Sequence, residues 1–196
     1  MSNHFKTLLR TPIPYKDESL AGYILRLAEI NYYQSPNWIL NLAGLKTNKG
    51  IYLYDNLLEN TPSQLSKLIR LDDKQLYLMA SLAYEVVNQL NYLHYKIYKY
   101  AIKLCPHCLN EFNYFRKIWD WDIVQACALH QCKLIHQCPN CQKKIKWARP
   151  GISQCKCGFD FRCCTSEKAD VYQVNLSLYI HQLDNNFKKS IDYVQN

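Results

Sequence analysis

Eight cysteine and histidine side chains fall between Cys105 and Cys157 in two sets of four, and no other feature narrows the fold as much. The first set reads Cys105-Pro-His-Cys108, then eighteen residues, then Cys127-Ala-Leu-His130. The second reads Cys138-Pro-Asn-Cys141, then thirteen residues, then Cys155-Lys-Cys157. A C-x-x-C pair turns tightly enough for both sulfurs to face one metal, and a second pair completes a tetrahedron. Structural zinc takes four such nitrogen and sulfur ligands, so the spacing predicts two Zn2+ ions, assigned in sequence order. A cross-braced arrangement, first pair with third and second with fourth, stays open on spacing alone. So does replacement of Cys155 or Cys157 by Cys163 or Cys164. Cys132, His107 and His136 are left over and read as a buried thiol and surface rings.

A catalytic zinc keeps one position open and has a carboxylate base nearby; neither set here does. No HExxH, P-loop, G-x-G-x-x-G or G-x-S-x-G pattern occurs, and the five glycines give little material for a phosphate-cradling loop. The acidic residues are scattered. The chain is therefore expected not to be an enzyme, with its metal serving shape. Ten cysteines without an export signal over residues 1–10 fit a reducing compartment, where C-x-x-C means metal rather than disulfide. No run approaches the roughly 20 apolar residues of a membrane span, so no membrane partner is expected.

The formal charge is +8, and its distribution says more than its size. Residues 1–85 hold 9 basic and 8 acidic side chains, residues 86–150 hold 10 and 3, and residues 151–196 hold 5 and 5. Filling both sites sets seven thiolates against two dications, which lowers the net charge to about +5. A basic face survives and favours an anionic partner such as DNA or RNA. Lys96, Lys99 and Lys103 alternate with tyrosines, a pattern that suits phosphate contact with base stacking. With Arg116, Lys117, Lys143, Lys144, Lys146 and Arg149 they are the candidate nucleic-acid contacts.

Pro12 and Pro14 keep residues 1–16 extended. Asp17 or Ser19 can cap a first helix whose Leu20, Tyr23, Ile24, Leu27 and Ile30 share one face. Ser35, with Pro36 after it and Gly44 beyond, brackets a short second helix, and the pair has helix-turn-helix shape. Thr61-Pro62-Ser63-Gln64 is a capping box opening a helix with Leu65, Leu68 and Ile69 inside. Asp72 with Gln75 opens another, with Leu76, Met79, Leu82, Ala83, Val86 and Leu90 on its stripe. The second helix of the first pair carries no basic residue, only Asn37 and Asn41, which disfavours a base-reading role. Residues 112–119 and 143–147 are expected as the short strands of the metal ribbons. Leu176, Tyr179, Ile180, Leu183 and Phe187 mark a closing helix over 170–193. The fold class is thus mainly α with small zinc-ribbon β elements. It comprises an N-terminal helix-turn-helix-type helical domain over 1–95, a tandem double zinc-ribbon domain over 96–168 and a C-terminal helix over 169–196.

The order of motifs resembles the TniQ/TnsD family. Pro14-Tyr-Lys-Asp-Glu18-Ser19-Leu20-Ala-Gly22-Tyr-Ile-Leu-Arg26-Leu27-Ala28 is similar to the opening segment of that family. The metal part is similar too: Cys105-Pro-His-Cys108-Leu109, Trp119, Trp121, Cys127-x-x-His130, Leu134, Cys138-Pro139-Asn-Cys141 and Cys155-x-Cys157-Gly158. Cys155-x-Cys157 departs from the more usual C-x-x-C. The resemblance covers about residues 12–160 and implies a target-selection adaptor of Tn7-like transposons, in a prokaryotic cytoplasm and at the nucleoid. Such proteins link a target-bound complex to a TnsC-type AAA+ ATPase. Short members are typical of CRISPR-associated transposons, where an effector with guide RNA finds the target, and this chain looks like the short kind. The alternative is a stand-alone sequence-specific DNA-binding protein using its helix-turn-helix. Self-association is left open.

Overall fold

Ser19 opens the first helix, α1 (Leu20–Ile30): its backbone is extended and its hydroxyl accepts from the Gly22 N–H at 2.9 Å. Asp17, the other cap on offer, is engaged by Tyr114 and Arg116 instead. Leu20, Tyr23, Ile24 and Leu27 are buried as their spacing predicts, and Ile30 at the helix end is half-buried. Leu25 lies off the predicted stripe yet is fully buried as well. A helix covered on two sides has a neighbour on each, whereas a surface helix shows one apolar stripe.

The computed structural model describes residues 7–45, 62–80 and 102–194, with side chains for 7–45, 64–80 and 102–185. Helix α2 (Asn37–Leu42) follows a turn at Ser35 and Pro36, and Gly44 ends it with a φ of 71° that favours glycine. Helices α3 (Pro62–Ile69) and α4 (Asp73–Ala80) pack on each other, and α4 packs on α1. The second capping box forms reciprocally: Gln75 N–H donates to Asp72 Oδ1 at 2.6 Å, and Asp72 N–H to Gln75 Oε1 at 3.3 Å. Leu65, Leu68, Ile69, Leu76 and Met79 are buried on the expected faces. Thr61, Leu82, Ala83, Val86 and Leu90 lie outside the described residues.

From Ile102 onward, before the closing helix, the chain is held by turns rather than by long elements. Helix α5 (Pro106–Phe112) starts at Cys105, a 3₁₀ turn occupies Lys117–Asp120, and β1 (Ala126–Cys127) pairs antiparallel with β2 (Cys132–Lys133). A second 3₁₀ turn covers Phe161–Cys163, and α6 (Val171–Val194) closes the described chain. The expected strand over 112–119 is replaced by the end of α5, a left-handed Asn113 and the 3₁₀ turn. The cause is local: Cys105 is extended and Pro106 fixes the first helical φ, so the first knuckle is itself a helix start. Residues 143–147 form no strand of their own and join their neighbours through one isolated bridge, Gln137 with Lys144. Ile145 accepts from Ile102 N–H and donates to His136 C=O, both at 2.8 Å.

In α6 the inward face is Leu176, Ser177, Ile180 and Asp184, and the expected core residue Tyr179 is 46 % exposed. A polar pair decides this rotation. Asp184 reaches Lys117 Nζ at 2.6 Å with both side chains almost fully buried, and Lys117 also donates to Leu78 C=O at 2.9 Å. The Phe187 side chain is outside the described set. Among the described residues no helix is long and apolar enough to cross a membrane.

Among the described residues two apolar clusters result, and each borrows a residue from the other half. Leu25 of α1 packs into the metal-side cluster with Phe115, Trp119, Val124 and Phe161. Trp147 packs into the helical cluster with Tyr23, Ile24 and Ile39, and its indole N–H donates to Ala21 C=O at 2.7 Å. Backbone bonds tie the seam: Ser19 N–H to Phe115 C=O at 2.9 Å and Lys117 N–H to Asp17 C=O at 2.7 Å. A Cβ on Gly22 would stand 2.5 Å from Phe115 Cβ, so the absent side chain sets how closely the halves approach.

Candidate metal centres and basic face

Cys105 and Cys108 sit at the start of α5, Cys127 ends β1, and His130 lies in the turn between β1 and β2. This brings the four ligand atoms within 4.8 Å of one another. Cys108 Sγ is 3.6 Å from Cys127 Sγ, and His130 Nδ1 is 3.6, 3.3 and 3.6 Å from the sulfurs of Cys105, Cys108 and Cys127. The second group, Cys138, Cys141, Cys155 and Cys157, meets the same 4.8 Å limit. Its measured edges are 3.7 Å for Cys138 with Cys157 and 3.9 Å for Cys141 with Cys155. A tetrahedron with Zn–S bonds of about 2.3 Å has S···S edges of about 3.8 Å. Both clusters are therefore positioned to bind a metal ion, and sequential pairing, not cross-bracing, brings the ligand atoms together.

The protonation chemistry points the same way. Cys108 is held well below the usual thiol range, at about 4, by hydrogen bonds from the Cys105 and Cys127 thiols, with Arg116 adding to the effect. Cys105, sharing those sulfurs, is pushed the other way. At the second cluster Cys157 falls to about 6, through the Phe159 backbone N–H and then Asn140, while burial pushes Cys155 up to about 12. Thiols packed this closely cannot all ionise alone; a divalent cation replaces their protons and removes the conflict.

Glu111 and Lys156 escaped the sequence reading, while Cys132 is the buried thiol expected of it and lies against the first cluster. Glu111 Oε1 sits 3.0 Å from His130 Nε2, so a carboxylate fixes the ring with Nδ1 toward the sulfurs. It lies one helical turn past Cys108, the one clue the sequence offered. Cys132 Sγ is 3.6 Å from Cys105 Sγ, brought there because Cys132 pairs with Cys127 across β1 and β2. Lys156, between the last two cysteines, is exposed beside Lys143 and Lys144 in the wall of one cavity. Cys163 is exposed and Cys164 buried, and neither belongs to the second group.

The basic candidates divide sharply. Lys96 and Lys99 lie outside the described residues. Lys103 is 1 % exposed, and its ammonium donates to the carbonyls of Trp121, Asp122 and Val124. Arg116 pairs with Asp17 and packs over the Tyr114 ring. Burial works against the Asp17 charge, but the Tyr114 hydroxyl and Arg116 outweigh it and hold the carboxyl below its ordinary value. Lys117 is buried against Asp184. These three are corrected: cations already committed to internal acceptors brace the fold and are not offered to a phosphate. Lys143, Lys144 and Lys146 are exposed, and Arg149 is buried behind them.

The family model for TniQ matches residues 9–134, and the chain belongs to the TniQ family. The family serves in Tn7-like transposition as a non-catalytic adaptor. The matched span takes in the whole first cluster and stops before Cys138, so the second cluster stands on its own geometry. A search of curated proteins returned no match.

Proposed function

We propose that this chain is a target-selection adaptor linking a target-bound guide-RNA complex to a TnsC-type AAA+ ATPase, with two structural zinc ions bracing it. The family match carries this reading. Cys105, Cys108, Cys127 and His130 hold one ion; Cys138, Cys141, Cys155 and Cys157 hold the other. Bound zinc supplies rigidity, cross-linking loops that have few backbone ladders of their own. Residues 1–95 serve protein contact, residues 96–168 present Lys143, Lys144 and Lys146 to nucleic acid, and residues 169–196 close the molecule. Stand-alone sequence reading is disfavoured: α2 has six residues, no cation, and an exposed Trp38 where a groove-reading helix carries polar side chains.

The test is a pull-down of the purified chain with a TnsC-type AAA+ ATPase and a guide-RNA effector, with and without guide RNA. Capture of the ATPase, strengthened by the guide-loaded effector, is expected. Capture of neither, with selective retention of one DNA sequence, would move the chain to the site-reading class.

A further inference from the structure

Beside the second cluster lies an open-mouthed cavity of about 380 Å³, lined by Lys143, Lys144, Lys146, Arg149, Lys156 and Phe161 and by three of the cluster's cysteines. No carboxylate is among the lining residues, and the four lysines are exposed. A zinc ion with four thiolates contributes two negative charges against five cations, so the cavity stays positive when the metal is bound.

Arg149 is the unusual member. It is 2 % exposed, with its guanidinium 4.9 Å from the Phe115 ring centroid. Nη1 donates to Lys146 C=O at 2.8 Å and Nη2 to Ile152 C=O at 3.1 Å, while Nε is buried without a partner. Among the described residues no carboxylate pairs with it. The charges that act on it are those of Cys155 and then Glu29, and the Glu29 carboxylate accepts from the Ile152 N–H. Burial pushes the guanidinium down to about 9, so it remains charged at neutral pH. A buried cation with an unmet donor is costly unless an anion joins it.

We propose that this cavity binds one backbone phosphate of a nucleic-acid strand, with the Arg149 charge behind it and Lys143, Lys144, Lys146 and Lys156 around its mouth. The volume sits at the small end of ligand clefts, about 300–1,000 Å³, which leaves room for a phosphate and its sugar but not for a duplex. Backbone contact of this kind holds a strand without reading its sequence. The proposal deepens the nucleic-acid contact suggested above and rests on it.

Fluorescence anisotropy of the zinc-loaded full chain with a labelled single strand and a duplex of equal length tests it. The variants are Lys144→Ala/Lys156→Ala and, as a control outside the cavity, Lys168→Ala; each is compared with the unsubstituted chain for zinc content and melting temperature. The double variant is expected to bind the single strand about tenfold more weakly, with a salt slope shallower by about 1.4. Lys168→Ala should stay within about twofold of the unsubstituted chain. Equal binding by both variants overturns the cavity and leaves the nucleic-acid contact standing. No retention of either strand by the unsubstituted chain overturns both, while the pull-down separately decides the ATPase link. An acidic peptide that binds as tightly, and is lost in the same double variant, would reassign the cavity to a protein partner and overturn the proposal.

Discussion

The helical half and the metal half reach similar burial by opposite routes. Up to Ala80 the described core comes from apolar stripes on α1 to α4, each closing its own backbone bonds. Between Ile102 and Ala169 the core is built from Trp119, Phe115, Phe161 and the cysteines, carried by two-residue strands, one short helix and isolated bridges. A helix needs only packing to persist, whereas short turns with few ladders need covalent or metal cross-links. The difference teaches where each half is vulnerable: the first to lost contacts, the second to a lost ligand.

Metal removal should break the comparison most visibly. Chelation is expected to unfold the metal half, and Cys127→Ser alone the part of it around the first cluster, because structural zinc supplies on the order of 10 kcal/mol of folding energy. Hydrogen exchange checks this: amides of residues 104–134 should lose protection in Cys127→Ser while α1 and α3 keep a larger share. Unchanged melting temperature and zinc content would refute a structural role for that thiol.

Trp147→Ala probes the seam instead. It leaves a cavity in the helical cluster and removes the indole donor from the Ala21 carbonyl, at an expected cost of about 3–5 kcal/mol read by denaturant unfolding with zinc retained. A loss below about 1 kcal/mol would mean the halves are stable without each other.

Asp17→Asn should cost about 2–3 kcal/mol, since it removes a charged acceptor from Tyr114 and Arg116. The folded carboxyl lies below its ordinary 3.8, so its contribution is complete above that value and is lost as pH falls through the folded value. The penalty should therefore be flat between about pH 8 and pH 5. A penalty that fades across that window would show the carboxyl is not held down.

The smallest effect sharpens the seam further. Gly22→Ala must move Phe115, and a cost of about 1–3 kcal/mol is expected in thermal melts.

What the sequence disclosed was local. Ser19, the Asp72 and Gln75 box, Gly44 and the apolar stripes each act within one or two turns of chain, and C-x-x-C spacing is local too. What it concealed depends on distant partners. Arg116 meets Asp17 across 99 residues, and Lys117 meets Asp184, so their charge alone did not say they would turn inward. Leu25 reads as a solvent-side position until the metal half covers it. Tyr179 fits an apolar stripe, yet the buried Lys117–Asp184 pair sets the rotation of α6. The strand expected over 112–119 failed because one proline made the knuckle a helix start.

The most direct test of the account is the zinc content of the intact chain by native mass spectrometry, with Cys108→Ser and Cys141→Ser alongside. Two ions per chain, falling to one in each variant, is the predicted result. An unsubstituted chain that binds no zinc, or variants that keep both ions, would contradict it.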